Sequence, residues 1–335
     1  MNRRLVLMGA AAFLVATPGC KKHKEKEVAP SGVKVGLVLP DSSSPYYQAM
    51  KSGIQKIATD RQYELVADDA QGKASEQTRI VEQYVQKGIN VLLVSAIDAE
   101  KLKPTLEKAT GQKIYVVALE RPLADMDVST SITFDQELAG RLLADYLGNQ
   151  LKSGGKVGVI TGGDTPGEKK RLEAFQSYLR EKYPSIQVAD QETARGEAEQ
   201  TGAVQRLLSK NSGLKAVVAL NPQAGIAAAA AAGSAAGKPF VVTYGGNPKL
   251  IAELKKPDSP LQLVLEPLPQ WVGDRAGRVS WRIVSNKPTP SSIELPVQPL
   301  TRDNLDTYHG WDGVIPENML VPWKSDLVLE LKREE

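Results

Sequence analysis

The chain has 335 residues, a length that suits two domains of about 150 residues each rather than one small domain. Its 42 Lys+Arg against 39 Asp+Glu give a formal charge of +3; setting aside Arg3, Arg4 and the charged residues of 21–27 takes these to 36 and 37. The remaining chain is near neutral, which argues against nucleic acid as a partner. Two histidines, His23 and His309, and one cysteine, Cys20, leave no material for a His/Cys metal site, a Cys–His nucleophile or an intrachain disulfide. No metal and no cofactor is expected. Aromatics are only 5%, so the core must be built from Val, Ile, Leu and Ala.

In chain order, Arg3 and Arg4 lead into an apolar stretch, 5–16, broken only by Gly9. This is shorter than the roughly 20 residues of a membrane span and suits the apolar region of an export signal. Thr17-Pro18-Gly19-Cys20 follows, and a small residue before the sole cysteine resembles the lipobox of bacterial lipoproteins, with Thr17 where an aliphatic residue is usual. The resemblance implies a signal over 1–20, a lipid on Cys20 and a charged tether over 21–32. The protein would then be exported to the periplasm or cell surface and held on a membrane by that lipid.

From Val33 the hydrophobic period alternates between strand and helix. Strands are predicted over 33–39, 63–67, 91–95 and 114–119, with helices over 45–59, 75–87 and 101–110 between them. The pattern then restarts. A strand ending at 131–134 is followed by helices over 137–150, 167–182, 197–208 and 223–236, separated by strands over 156–161, 186–189, 216–220 and 240–244. The alanine run of the last helix suits close packing on a sheet. A strand over 261–266, a helix over 271–284 and a strand over 293–299 follow; from Asn304 the periodicity is lost, as in an extension wrapped on a lobe. Two tandem α/β units of this kind predict two doubly wound parallel sheets around a cleft.

Asp41-Ser42-Ser43-Ser44-Pro45-Tyr46-Tyr47 after the first strand, the strand over 88–95, Val117-Ala118-Leu119-Glu120-Arg121, Arg171-Leu172-Glu173-Ala174-Phe175, the strand ending at Asn221 and the strand over 241–246 resemble, in order and spacing, segments of the ribose-type periplasmic binding proteins. The resemblance covers about 33–302. It implies a type I periplasmic binding protein, the solute-binding component of an ABC importer, with three crossings near 133–135, 264–266 and the 290s. The N-terminal lobe would comprise 33–133 with 267–292, the C-terminal lobe 134–266 with 293–303, and 304–335 would be an extension.

In open parallel sheets, ligands sit outside the carboxyl ends of the strands, and the candidate ligand-binding residues all stand at such ends. Tyr46 and Tyr47 offer rings to the C–H face of a sugar. Ser44 could cap the following helix or bond a hydroxyl. Glu120 and Arg121 offer an acceptor beside a donor fork, matching sugar hydroxyls, which do both. Arg171, Arg195, Asn221, Ser95 and Glu266 complete the set with Gly245, which stands where the family carries an Asp. Glu120 likewise replaces an Asp, and Pro267 falls near the position of a polar hinge residue. Three arginines keep a sugar acid or phosphorylated sugar open beside a neutral or modified monosaccharide.

The expected partners are this small molecule, a membrane reached through the lipid anchor, and either an ABC permease or a chemoreceptor that reads the closed form. An α/β enzyme is the alternative, with Glu120 and Asp68 or Asp69 as acid and base, or Gly162-Gly163-Asp164-Thr165 as a phosphate loop. That glycine pattern lacks the Lys-Ser/Thr of a phosphate-binding loop, no histidine base lies in the lobes, and no enzyme is expected.

Overall fold

The computed structural model describes residues 27–123, 125–163, 165–311 and 319–329; the predicted export signal, Cys20 and most of the predicted tether lie outside the described residues. The short apolar runs become strands buried on both faces: in β1 (Lys34–Leu39) every residue after Lys34 is buried, as are all of β3 (Val91–Val94). With β2 (Glu64–Asp69), β4 (Tyr115–Glu120), β5 (Thr130–Phe134) and β11 (Ser292–Leu295) they form one sheet in the order β11-β5-β4-β3-β1-β2. Helices α1 (Pro45–Arg61), α2 (Ala74–Lys87) and α3 (Ala99–Gly111) make the crossovers.

The second sheet repeats the winding in the order β12-β10-β9-β8-β6-β7. It contains β6 (Gly155–Thr161), β7 (Ile186–Thr193), β8 (Leu214–Ala219), β9 (Phe240–Tyr244), β10 (Leu261–Glu266) and β12 (Gln298–Leu300). Its helices are α4 (Gln136–Gln150), α5 (Pro166–Lys182), α6 (Glu197–Lys210), α7 (Pro222–Ala232) and α8 (Pro248–Leu254). Every described strand pair is parallel except β10 with β12. The predicted fold class is borne out.

The predicted strand over 293–299 is two strands in different sheets. Ile293 pairs with Ile132 of β5, whereas Leu300 pairs with Val264 of β10. Pro296, between them, cannot donate to a ladder, so the chain leaves one sheet there and enters the other. The boundary expected before Ile293 therefore falls after Leu295. The alanine-rich helix ends at Ala232, ahead of Gly233, four residues short of its predicted end. The sequence reading missed α8, although Asn247 caps it through the N–H of Leu250 at 2.9 Å and Pro248 opens it.

Two close helix contacts hold the lobes. α9 (Pro269–Val284) returns to the first sheet and lies on α1; a Cβ on Gly53 would stand 2.3 Å from the carbonyl of Gln270, and one on Gly273 would stand 2.0 Å from that of Met50. In the second lobe α4 lies on α5, and a Cβ on Gly140 would stand 2.3 Å from the carbonyl of Arg171. Only glycine permits such an approach.

The C-terminal extension packs on the second lobe and on the cleft. A 3-10 turn over Arg302–Thr307 is capped by Thr301, and Arg302 donates to the carbonyls of Ser259 and Leu261 at 2.6 and 2.9 Å. Farther on, Trp323 Nε1 donates to Asp145 Oδ2 of α4 at 2.7 Å. No helix among the described residues is long and apolar enough to cross a membrane.

Candidate ligand-binding site

In both sheets the winding reverses between neighbouring strands, at β1/β3 and at β6/β8. Their carboxyl ends are where crossovers diverge and leave a crevice. In the first lobe, Pro45 opens α1 and puts Tyr46 and Tyr47 in its first turn, with ring centres 5.4 Å apart and edge to face. Ser44 is the N-cap residue but its side chain makes no capping bond, so the capping reading of Ser44 is corrected. The loop before it is pinned instead by Asp69, which accepts from Ser42 N at 2.9 Å and Ser42 Oγ at 2.6 Å. Those bonds hold Asp69 below the usual carboxylate range and tie it to the loop.

Glu120, the last residue of β4, has φ +66°, a conformation costly for any residue with a Cβ. Ser95, one residue past β3 and 4% exposed, donates to Glu120 Oε2 at 2.5 Å. Burial pushes the Glu120 carboxyl up, against the opposing effects of Ser95, Tyr46, Arg121 and Tyr47. Arg121 itself is exposed, and its charge still reaches Glu120.

In the second lobe Arg171 is 5% exposed. Its guanidinium donates to the carbonyl of Leu220 at 2.8 Å and to Gln136 Oε1, and lies 3.5 Å over the ring of Tyr244. Gln136 also donates to the Tyr244 hydroxyl at 3.2 Å. Asn221 caps α7 through Oδ1, accepting from Ala224 N at 2.8 Å, while its buried Nδ2 has no partner. Gly245 has φ +83°, and a Cβ there would stand 2.9 Å from Pro222 Cδ, so this turn disfavours a side chain at 245. Glu266 ends β10 wholly buried, its Oε1 accepting from Trp311 Nε1 at 2.7 Å and its Oε2 unpartnered.

The lobes meet at Tyr244. Its phenol is pushed up first by burial, and it senses Arg171 of its own lobe, Glu120 of the other and Glu266. Tyr46 senses both Glu120 and Tyr244. Tyr46, Tyr47, Ser95, Glu120, Arg171 and Glu266 thus come together around Tyr244 and Gln136, neither of which sequence reasoning singled out. A signal for Tyr244 existed, an aromatic at the carboxyl end of a predicted strand. None existed for Trp311.

Arg195 is separated from this group. It is exposed and lines a depression with Thr161, Gly163, Thr193 and Glu199 at the β6–β7 side, its N–H donating to Glu199 Oε2 at 2.8 Å. Of the three arginines, Arg171 alone is buried; two nitrogens of its guanidinium bond Gln136 and the carbonyl of Leu220, and its buried Nε has no hydrogen-bond partner. The phosphate-loop alternative also fails: the N–H of Gly162, which a phosphate would need, donates to Glu168. Asp164 of that loop lies outside the described residues. No cluster of metal-binding side chains occurs among the described residues.

Burial lifts Glu266 from its ordinary value of 4.5 to about 8, against the opposing effects of Trp311 and Tyr308. Below its ordinary value the group is neutral in folded and unfolded chains alike. Between there and about 8 the unfolded chain gives up the proton first, so stability falls as pH rises through that window. The unfolding midpoint of the wild type is expected to drop more steeply from about pH 5 to about pH 8 than that of Glu266→Gln. Parallel curves would show that Glu266 keeps its ordinary proton affinity.

A sequence profile of the family described as periplasmic binding protein domain matches residues 35–287, well over half the chain. The ribose import binding protein of Bacillus subtilis (strain 168) is 25% identical over 302 residues, covering 88% of this chain and 96% of that protein. The D-ribose/D-allose-binding protein of Pseudomonas aeruginosa is 29% identical over 264 residues, covering 72% and 79%. An arabinose-binding protein from Geobacillus stearothermophilus superposes with a TM-score of 0.75 at 20% identity, covering 84% of this chain and 100% of that one. At that identity the likeness is one of fold.

Proposed function

The chain belongs to the periplasmic binding protein domain family, and on that premise we propose that it is the solute-binding component of an ABC importer, closing two lobes on a sugar or sugar-like molecule. The observation that carries this reading is the convergence of polar and aromatic groups from both lobes at the carboxyl ends of both sheets. Glu120, Ser95, Tyr46 and Tyr47 come from one lobe; Tyr244, Gln136, Arg171, Asn221 and Glu266 come from the other or its edge. Carboxylates, amides and hydroxyls satisfy groups that both donate and accept, and the rings take apolar C–H faces.

Periplasmic binding proteins are a standing example of hinge closure around ligands. A ligand bonded to Glu120 on one side and to the Tyr244 side on the other favours the closed state by its extra contacts there. An ABC permease would read that closed form. A lipid on Cys20 would hold the protein at the membrane, and the support for it is the run from Arg3 to Cys20.

A thermal-shift panel tests the ligand. D-ribose, D-allose, D-arabinose and xylitol are the neutral arm, and a sugar acid and a sugar phosphate the anionic arm. At a hundred times its dissociation constant a ligand adds about 2.7 kcal/mol, a rise of a few degrees. A rise in the neutral arm alone is expected, because two nitrogens of Arg171 are taken by Leu220 and Gln136 and its face by the ring of Tyr244, which leaves no bidentate fork for an anion. A rise only with the anions would overturn the neutral-ligand reading, and no rise at all would remove the sugar assignment. For the anchor, Cys20→Ser should move the protein from the membrane fraction to the soluble one; an unchanged distribution would refute it.

A further inference from the structure

Trp311 stands beyond the family match, which ends at residue 287, yet it reaches the cleft. The chain around it is tied to both lobes: Gln270, in the first turn of α9, donates to the carbonyl of Gly310 at 3.3 Å, and Trp311 Nε1 donates to Glu266 Oε1 at 2.7 Å. The indole also meets Tyr46 edge to face, with ring centres 5.5 Å apart. Trp311 therefore touches one candidate ligand residue from each lobe.

We propose that Trp311 is a specificity-determining residue of the ligand site, a side wall supplied by the C-terminal extension that bounds the sugar where it meets Glu266. The proposal rests on the sugar-cleft reading above and adds a residue from outside the two lobes. Two observations favour a wall over a plug. First, the indole meets Tyr46 only through an edge contact, and both rings stay partly exposed. Second, its N–H takes Oε1 of Glu266, while Oε2 is buried against Gly246, where a Cβ would stand 1.4 Å from it, so the indole is fixed at the edge of the site by a carboxylate that is itself held in place.

An aromatic wall discriminates by shape: it receives an apolar C–H face and rejects a substituent that projects into it. Trp311→Ala opens that side and removes the donor that orients Glu266. Trp311→Phe keeps a ring and removes only the donor.

The test measures dissociation constants of the full chain for D-ribose, D-allose, D-arabinose and xylitol by calorimetry, for wild type, Trp311→Ala, Trp311→Phe and Trp323→Phe. Trp323 is the control, since its indole bonds Asp145 on α4 and lies against Tyr146. Trp311→Ala is expected to weaken the best-bound sugar roughly tenfold, the equivalent of about 1.4 kcal/mol, and to narrow the spread among the four. Trp311→Phe should lose less affinity and keep more of the ranking, and it carries the test if the alanine variant does not fold. Trp323→Phe should leave both affinity and ranking within about twofold of wild type. Unchanged affinity and ranking in Trp311→Ala would overturn the wall. Tighter binding would also overturn it and make the indole a plug. If the wild type binds none of the four sugars, the cleft reading fails and the wall fails with it, an outcome distinct from binding that ignores Trp311.

Discussion

Glu120→Ala is expected to lose sugar binding by at least about tenfold, and Glu120→Gly to lose as much while being the more stable of the two. Hydrogen bonds to a charged group are worth about 1.5–3 kcal/mol, or about one to two decades in affinity. Glu120 is bonded by Ser95 at 2.5 Å and stands near Tyr46 and Tyr47, so its loss removes the acceptor around which this lobe's site is arranged. The stability difference has a separate cause. Residue 120 has φ +66°, where alanine keeps the steric penalty of a Cβ and glycine does not. Glycine should therefore exceed alanine by about 1 kcal/mol in urea unfolding. Binding within twofold of wild type in both variants would sink the site assignment; an alanine variant more stable than the glycine one would show that the turn is not strained.

Gly273→Ala is expected to destabilise the protein by about 3 kcal/mol or more, since overpacking that forces a backbone shift lies at the costly end of such changes. Helix propensity argues for the opposite sign, because alanine is favoured over glycine by about 1 kcal/mol in a helix interior. Geometry decides between them. A Cβ at residue 273 would lie 2.0 Å from the carbonyl of Met50 and 3.0 Å from the N–H nitrogen of Ile54, both backbone atoms of α1 that no rotamer change can move. The two helices must separate, and the apolar contacts of Ile54 and Trp271 with the rest of the core loosen with them. Gly202→Ala on α6 is the control: its nearest neighbour is the flexible tip of Arg206 at 3.4 Å. That variant should gain stability by roughly 0.5–1 kcal/mol. A neutral or stabilised Gly273→Ala would show that α1 and α9 do not meet backbone to backbone.

Both lobes share this device, and in the second it bears on the site. The contact at Gly140 sets α4 against the carbonyl of Arg171, and α4 begins with Gln136, which bonds Arg171 and Tyr244. The packing that holds the lobe together also places its polar cluster.

What the sequence determined by itself was local. A strand buried on both faces is a run of Val, Leu and Ile, and a helix that covers it has a 3.6-residue period; neither depends on distant residues. The alternation of the two patterns was enough for two doubly wound sheets, and the ends of the strands were enough to put Tyr46, Ser95, Glu120, Asn221 and Glu266 at the carboxyl ends, where the proposed ligand sits. The tertiary structure alone decided which charged groups remained available. Arg171 read as a ligand fork until the carbonyl of Leu220, forty-nine positions away, and the ring of Tyr244 were seen to occupy it. Arg195 read as its companion until the turn after β7, the edge strand, set it beside Glu199. The strand over 293–299 kept one hydrophobic run while its two halves joined different sheets at Pro296. Trp311 had no periodic neighbours and became part of the cleft because its indole N–H satisfies a carboxylate buried forty-five residues earlier. Periodicity records which face of an element is buried. It carries nothing about which distant donor meets which acceptor, and that pairing is what makes a site.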